Sequence, residues 1–399
     1  MADARHPRGS VRKLKSNKSF RGSYLSYVIT FFFVSFSNGL FTQVLSIYLT
    51  GIGNTASEMT FIVSSASLFG IVLIPVYGFI SDRFRKPYLI MGTIWIAAGL
   101  SVVFAFTRAT WPLYLLHGCI MGLMAALNPI FENLSADGKY RYGQIRIWGT
   151  IGYAVSSQIG ALLLDWTDPR WIFFLFAITI TLSSVCFYFT GVISYKPKKE
   201  KLPPAQQIAF LKNPMFLLFV VIAALFAAVV NMNITVVPML FRDLGVSNSF
   251  VGTALLLSTL MEVPLVYCSD RFMDRFPGKY LAAFSFGLML TEFLIFSRTE
   301  SIPVAFIALL LLKATGSQLF MMTMLKVVRS IVAERAVYTG LGVISTVNAV
   351  STIIMQNVGG RITEAMGLQG LYLVLAGLAA LAFVLCLFLK TKNNVKVFS

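Results

Sequence analysis

Gly78-Phe79-Ile80-Ser81-Asp82-Arg83-Phe84-Arg85-Lys86-Pro87 closes one long apolar run of this chain. Ser269-Asp270-Arg271-Phe272-Met273-Asp274-Arg275-Phe276-Pro277-Gly278-Lys279 closes another. The tetrapeptide Ser-Asp-Arg-Phe stands at 81–84 and again at 269–272, 188 residues on. Each copy follows the second apolar run of its half. The same short acidic–basic turn at the same topological place marks an internal duplication.

The composition says what is duplicated. Of 399 residues, 57% are hydrophobic and 12% charged, and the mean hydropathy is +0.77. A soluble domain is about half apolar and about a quarter charged, which excludes a soluble enzyme. Twelve apolar runs are long enough to cross about 30 Å of hydrocarbon at roughly 20 residues each. They lie at about 24–50, 59–80, 88–107, 111–134, 146–165, 170–194, 214–241, 249–269, 279–297, 302–325, 336–360 and 368–389. The runs are continuous rather than alternating, so barrel strands do not fit. The expected fold is all-α and polytopic, with twelve transmembrane helices in two pseudo-symmetric six-helix bundles. Residues 1–23 read as a basic tail, 24–194 as the first bundle, 195–213 as a linker, 214–390 as the second bundle and 391–399 as a second tail. The linker YKPKKEKLPPAQQIAFLKN carries three prolines and five lysines, and proline at that density discourages a continuous helix.

The formal charge is +17, from 33 Lys and Arg against 16 Asp and Glu. Position decides its meaning. Twenty-seven of the 33 basic residues fall in the tails and in the loops on the same side as the tails; Arg108, Arg170, Arg242, Arg298 and Arg361 fall on the other. Lys313 lies inside a span. Such asymmetry places both termini in the cytoplasm of a plasma-membrane protein, and it removes the reason to invoke nucleic acid. Cys119, Cys186, Cys268 and Cys386 sit in or beside apolar runs with no CxxC pair, so packing is expected rather than a disulfide or zinc site. No metal-ligand cluster and no GxxxxGK[ST] phosphate loop is present, and no cofactor is expected.

Only Glu132, Glu262, Glu292 and Lys313 lie well inside the spans. A charge at the bilayer centre costs about 2.5–3.5 kcal/mol on insertion scales, so each needs a partner, water or a proton. Glu262 is eight residues from Asp270, about 12 Å along the helix, which is near mid-membrane. Glu262, Glu292 and Lys313 are therefore the proton-coupling candidates, with a static interhelical ion pair as the rival reading. Asn38, Asn128, Asn231, Gln318 and Asn348 are amides in apolar helices. They suit a cavity for a hydroxylated solute and equally suit helix–helix hydrogen bonds. His117 reads as a packed core residue.

At the Gly78–Pro87 turn the chain resembles the major facilitator superfamily. Gly78, Asp82, Arg83, Arg85 and Lys86 match its signature after the second span, although the second glycine of that signature is missing. The resemblance implies a conformational latch at Gly78, Asp82 and Arg83, repeated at Asp270 and Arg271. Tyr142-Gly143-Gln144-Ile145-Arg146-Ile147-Trp148-Gly149-Thr150-Ile151-Gly152 is similar to the entry of the fifth span in the branch that holds lactose permease and nucleoside–proton symporters. Pro129-Ile-Phe-Glu132 and Glu262-Val263-Pro264 also fit that branch. This likeness implies that Glu132 and Arg146 bind a substrate hydroxyl, and Trp148 is positioned to stack on a ring or to anchor at the interface. Asn128 stands where lactose permease has an acidic residue, which counts against lactose. Internal repeats of this kind belong to carriers that rock one half against the other. The expected function is secondary transport of a small polar solute such as a sugar, oligosaccharide or nucleoside, by proton-coupled uptake, as a monomer. Efflux of sugars or amphipathic drugs by the same fold is the rival. A membrane enzyme would need a cluster of acid, base or metal ligands at one face, and the sequence holds none.

Overall fold

A computed structural model of the chain describes residues 21–83, 86–136, 140, 142–190, 209–268, 272–273, 275–332 and 336–391. Among the described residues all regular structure is helical. The first half comprises α1 (Tyr24–Gln43), α2 (Leu45–Gly51), α3 (Ala56–Arg83), α4 (Lys86–Phe106), α5 (Thr110–Ala136), α6 (Tyr142–Trp166) and α7 (Trp171–Phe189). After a 3₁₀ turn at Ala209–Lys212 come α8 (Pro214–Asp243), α9 (Asn248–Tyr267) and α10 (Gly278–Phe296). The last pieces are α11 (Ile302–Ala308), a π turn (Leu309–Lys313), α12 (Ala314–Ile331) and α13 (Val337–Phe388).

Among the described residues eleven helical stretches are long and apolar enough to span a membrane. The last of them, Thr339–Phe388, holds two crossings. Its 50 residues would reach about 75 Å if straight, more than twice the hydrocarbon thickness. Gly367 divides it at φ 72° and ψ 177°, a backbone that residues with a Cβ avoid. The eleventh span thus runs on to Gly367 rather than stopping near 360. The first span is α1 plus α2, bent at Val44, and the tenth is α11, the π turn and α12.

Local chemistry starts the helices where they start. Ser23 accepts from the Ser26 amide at α1, Asn213 from Met215 at α8 with Pro214 in the first helical position, and Ser247 from Phe250 at α9. These are N-caps that satisfy amides the helix itself cannot. Thr55 and Glu58 close a reciprocal capping box ahead of α3. Pro75, Pro238 and Pro264 lie inside helices, as spanning helices allow when neighbours re-satisfy the backbone.

The two large apolar cores lie one in each half. Phe41, Phe104, Phe173 and Phe176 interlock in the first, with Phe41 and Phe176 rings 4.7 Å apart. Phe226, Phe286 and Phe320 do so in the second, with Phe226 and Phe320 stacked at 4.3 Å. Trp111, Trp166, Trp171 and Tyr267 are exposed at helix ends, as expected of aromatic belts.

The halves meet at the end away from the termini. Asp165 of α6 accepts from Asn248 Nδ2 (2.6 Å), Ser249 N (2.7 Å) and Ser249 Oγ (2.5 Å) at the start of α9. Glu364 of α13 accepts from Ser57 N at the start of α3 (2.9 Å). One turn deeper, Gly252 lies against Ser157 and Ala161, and Gly360 against Ser57 and Thr60. Toward the terminal end Asn128 and Arg146 are exposed.

Candidate functional site

A cavity of about 270 Å³ lies between the halves. The first half lines it with Asn38 of α1, Asn128 of α5, and Arg146, Thr150 and Tyr153 of α6; the second half lines it with Thr259 and Glu262 of α9. Arg146, Thr150 and Tyr153 share one helix face through their three- and four-residue spacing, and so do Thr259 and Glu262. A second cavity of about 200 Å³ shares Tyr153, Thr259 and Glu262 and continues into the second half. Its wall adds Gln43, Asn233, Glu292, Lys313, Ser317 and Gln318. Lys313 ends the π turn, a local winding change of the kind often found at functional sites.

The polar groups of this wall are held by neighbours. Tyr153 accepts a hydrogen bond from Thr42 (2.9 Å), and its carbonyl accepts from Gln43 (3.4 Å). Glu292 is buried and accepts from Asn233 Nδ2 (2.8 Å), whose Oδ1 accepts from the Tyr372 hydroxyl (3.2 Å). No ion pair joins Lys313 to Glu262 or Glu292 among the described residues. The three charges share a cavity wall without direct contact.

Asn38, Asn128, Arg146 and Glu262 therefore come together, and Glu292, Lys313 and Gln318 join them through the second cavity. Other expected residues do not line either cavity. Trp148 donates to the Tyr24 hydroxyl (3.0 Å), which pins the start of α6 to α1. Asn231 donates to Ala227 O (2.9 Å) and Thr352 (3.2 Å). The amide nitrogen of Asn348, oriented to face two nearby carbonyls, donates to Ala223 (3.0 Å) and Ile344 (3.2 Å). These last two amides join α8 to α13. The side chains of Glu132, Asp82 and Arg83 and the surroundings of Gly78 lie outside what the structure describes, although all four positions are helical. Asp270 and Arg271 lie outside the described residues altogether.

Lys326 differs from its reading as a loop charge. It is buried in α12 and donates to the carbonyls of Met273 and Phe276 (2.8 Å for the latter). His117 is buried and hydrogen bonds with Ser65 (2.9 Å). The cysteines are unpaired. Among the described residues no group of three or more His, Cys, Asp or Glu is placed to hold a metal. Tyr153, Thr259 and Tyr372 escaped the sequence reading. A hydroxyl in an apolar helix carries no pattern that separates a cavity wall from a core.

Twelve crossings among the described residues, in two halves around a polar cavity, define a multi-pass membrane carrier. Residues 24–374 match the model of the MFS_1 like family, and the chain belongs to this branch of the major facilitator superfamily. It is similar to the maltose permease of Geobacillus stearothermophilus, 22% identical over 92% of this chain and 94% of that one. It is also similar to the lactose permease of Klebsiella oxytoca, 28% identical over 39% of this chain and 38% of that one. A crystal structure of a mutant of the nucleoside transporter NupG superposes with a TM-score of 0.76 at 15% identity, over 92% of this chain and 99% of that one. The chain is thus a transporter with sugar-permease relatives and the fold of a nucleoside transporter.

Proposed function

We propose that this protein carries a neutral polyhydroxylated solute, a sugar, oligosaccharide or nucleoside, inward across the cell membrane together with protons, as a monomer with both termini in the cytoplasm. One observation carries the reading. Glu262 belongs to both cavities, so a single carboxyl stands between the wall of Asn38, Asn128 and Arg146 and the buried pair of Glu292 and Lys313. A group that touches both the solute and the charge network can make proton release depend on solute occupancy. Together the two cavities fall within the ~300–1,000 Å³ range of small-molecule sites. The Arg146 guanidinium offers several fixed donors to paired hydroxyls, and the amides offer both donors and acceptors. The sugar-permease names of relatives support the solute class. The halves, 24–194 and 214–390, act as the two rocking bodies around the linker at 195–213. The turns at Gly78, Asp82 and Arg83 and at Asp270 and Arg271 serve as the latch on the cytoplasmic side, and Glu132 contributes beside Arg146.

Reconstituted vesicles test this with labelled maltose, sucrose and uridine. An inward proton gradient should drive accumulation of at least one of them, and a proton ionophore should abolish it. Glu262→Gln should stop accumulation while leaving solute exchange intact. Accumulation indifferent to the ionophore, or undiminished in Glu262→Gln, rejects the coupling. Gradient-driven extrusion instead of accumulation rejects the direction.

A further inference from the structure

We propose that Tyr372 is a positioning residue that sets the protonation equilibrium of Glu292 through the side-chain amide of Asn233. The proposal deepens the proton-coupling reading and rests on it. Three helical limbs meet here: α8 brings Asn233, α10 brings Glu292, and the limb of α13 beyond Gly367 brings Tyr372. All three side chains are buried, at 3%, 1% and 0% exposure. The Tyr372 ring packs against Phe293 and Phe296, with centroids 6.2 and 5.2 Å away. Its hydroxyl is therefore held in place.

An asparagine amide has two unlike edges, and the edge shown to one neighbour is decided by the other neighbour. Tyr372 donates to Oδ1, which commits Nδ2 to Glu292. An N–H aimed at a carboxyl favours its ionised form. Turning the amide over presents Oδ1 to Glu292, where it accepts the O–H of the protonated acid. Nδ2 then faces Tyr372, whose oxygen can accept from it while its buried O–H gives up the Oδ1 acceptor, so Tyr372 weights the balance toward the first orientation. Both protonation states of a buried carboxyl are thus served by rotation about one side-chain bond. No water need enter and no helix need move.

The proton itself stays with Glu292 and is exchanged with the cavity that Glu292 lines. The other titratable or charged groups of that wall are Glu262, Lys313 and Tyr153. Among the described residues none of them hydrogen bonds with Glu292. Asn233 is the partner recorded for its carboxyl, so the amide's orientation is the local control.

Infrared spectra of the purified full-length protein, recorded through a pH titration, test the idea without a transported solute. The protonated-carboxyl band that vanishes in Glu292→Gln belongs to Glu292. In Tyr372→Phe that band should shift in position, gain intensity at fixed pH, and have its midpoint displaced by about half a pH unit or more, the worth of one neutral hydrogen bond. Tyr48→Phe is the control, because Tyr48 is also buried and its hydroxyl has no hydrogen-bond partner among the described residues. It should leave the band where it was. An unmoved band in Tyr372→Phe, or an equal displacement in Tyr48→Phe, overturns the proposal. So does a spectrum with no Glu292-dependent band at any pH. Full proton-driven accumulation by Glu292→Gln would reject the proton role of Glu292 itself, a separate result from the behaviour of the band.

Discussion

Asp165 reaches from α6 to the first turn of α9, and Glu364 reaches from α13 to the first turn of α3. The fifth span thus caps the eighth, and the eleventh caps the second, which are the same pair of positions counted from the start of each half. Each contact sets a carboxylate of one half on the amides of a helix start in the other half. Those amides have no partner within their own helix, and the helix dipole favours an anion there. A glycine one turn deeper lets the backbones close at each contact. The duplication read from the repeated Ser-Asp-Arg-Phe of the sequence therefore reappears in these contacts, where no shared tetrapeptide announces it.

The two contacts are not equally strong. Asp165 accepts three hydrogen bonds, and Asn248 is itself held by Arg242. Glu364 accepts one from Ser57. Both carboxylates are exposed, so water can replace their partners when the halves part. Contacts of that kind can release at modest cost, whereas buried glue between the halves could not. The difference is one of polar ties: the carboxylate at α6 and α9 is bound by more hydrogen bonds than the one at α3 and α13.

Spin labels at Arg108 and Glu300, in exposed loops of the two halves, would report the separation of this end. Steric blocks should act most strongly. A Cβ at Gly360 would lie 2.1 Å from Thr60 Oγ and 2.8 Å from Ser57 Cα. Gly360→Leu should therefore hold the end open, since overpacking costs about 1–3 kcal/mol; an unchanged distance distribution would show that the contact is not part of closure. Asp165→Ala comes next. It should shift the population toward the open form by about tenfold, from the loss of about 1.5 kcal/mol of charge-assisted bonding. Glu364→Gln should shift it about twofold, for about 0.5 kcal/mol. An effect as large as that of Asp165→Ala would erase the asymmetry.

The smallest effect belongs to Asp168 in the loop between α6 and α7. Hydrogen bonds from Arg170 hold its carboxyl below the usual range. A carboxyl lowered on folding adds stability above its unfolded value and loses it as pH falls through the folded one. This pair is open to solvent, where ion pairs contribute little. Asp168→Asn should leave both the melting temperature at neutral pH and the spin-label distances unchanged. A clear drop in either would mean that the loop belongs to the contact.

Much of the architecture could be read from the chain alone, because crossing a bilayer imposes length and polarity on each helix separately. The span count and the polar residues set within the spans follow from that local demand. The merger of the last two spans around Gly367 was less legible, since one glycine does the work of a loop. Asn38, Asn128, Arg146 and Glu262 meet at one cavity, as their unusual polarity in apolar helices suggested. Trp148 stands in the same motif as Arg146, yet it turns to Tyr24 instead.

Apolar length and the side on which basic residues fall are properties of single segments, so residue order by itself determined a twelve-span carrier built from two repeats. Which polar side chain faces a cavity, a neighbouring helix or the other half depends on the rotation and crossing of helices far apart in the chain. Only the tertiary structure could bring Tyr372 to Asn233 and Glu292, or Asp165 and Glu364 to the helix starts of the opposite half.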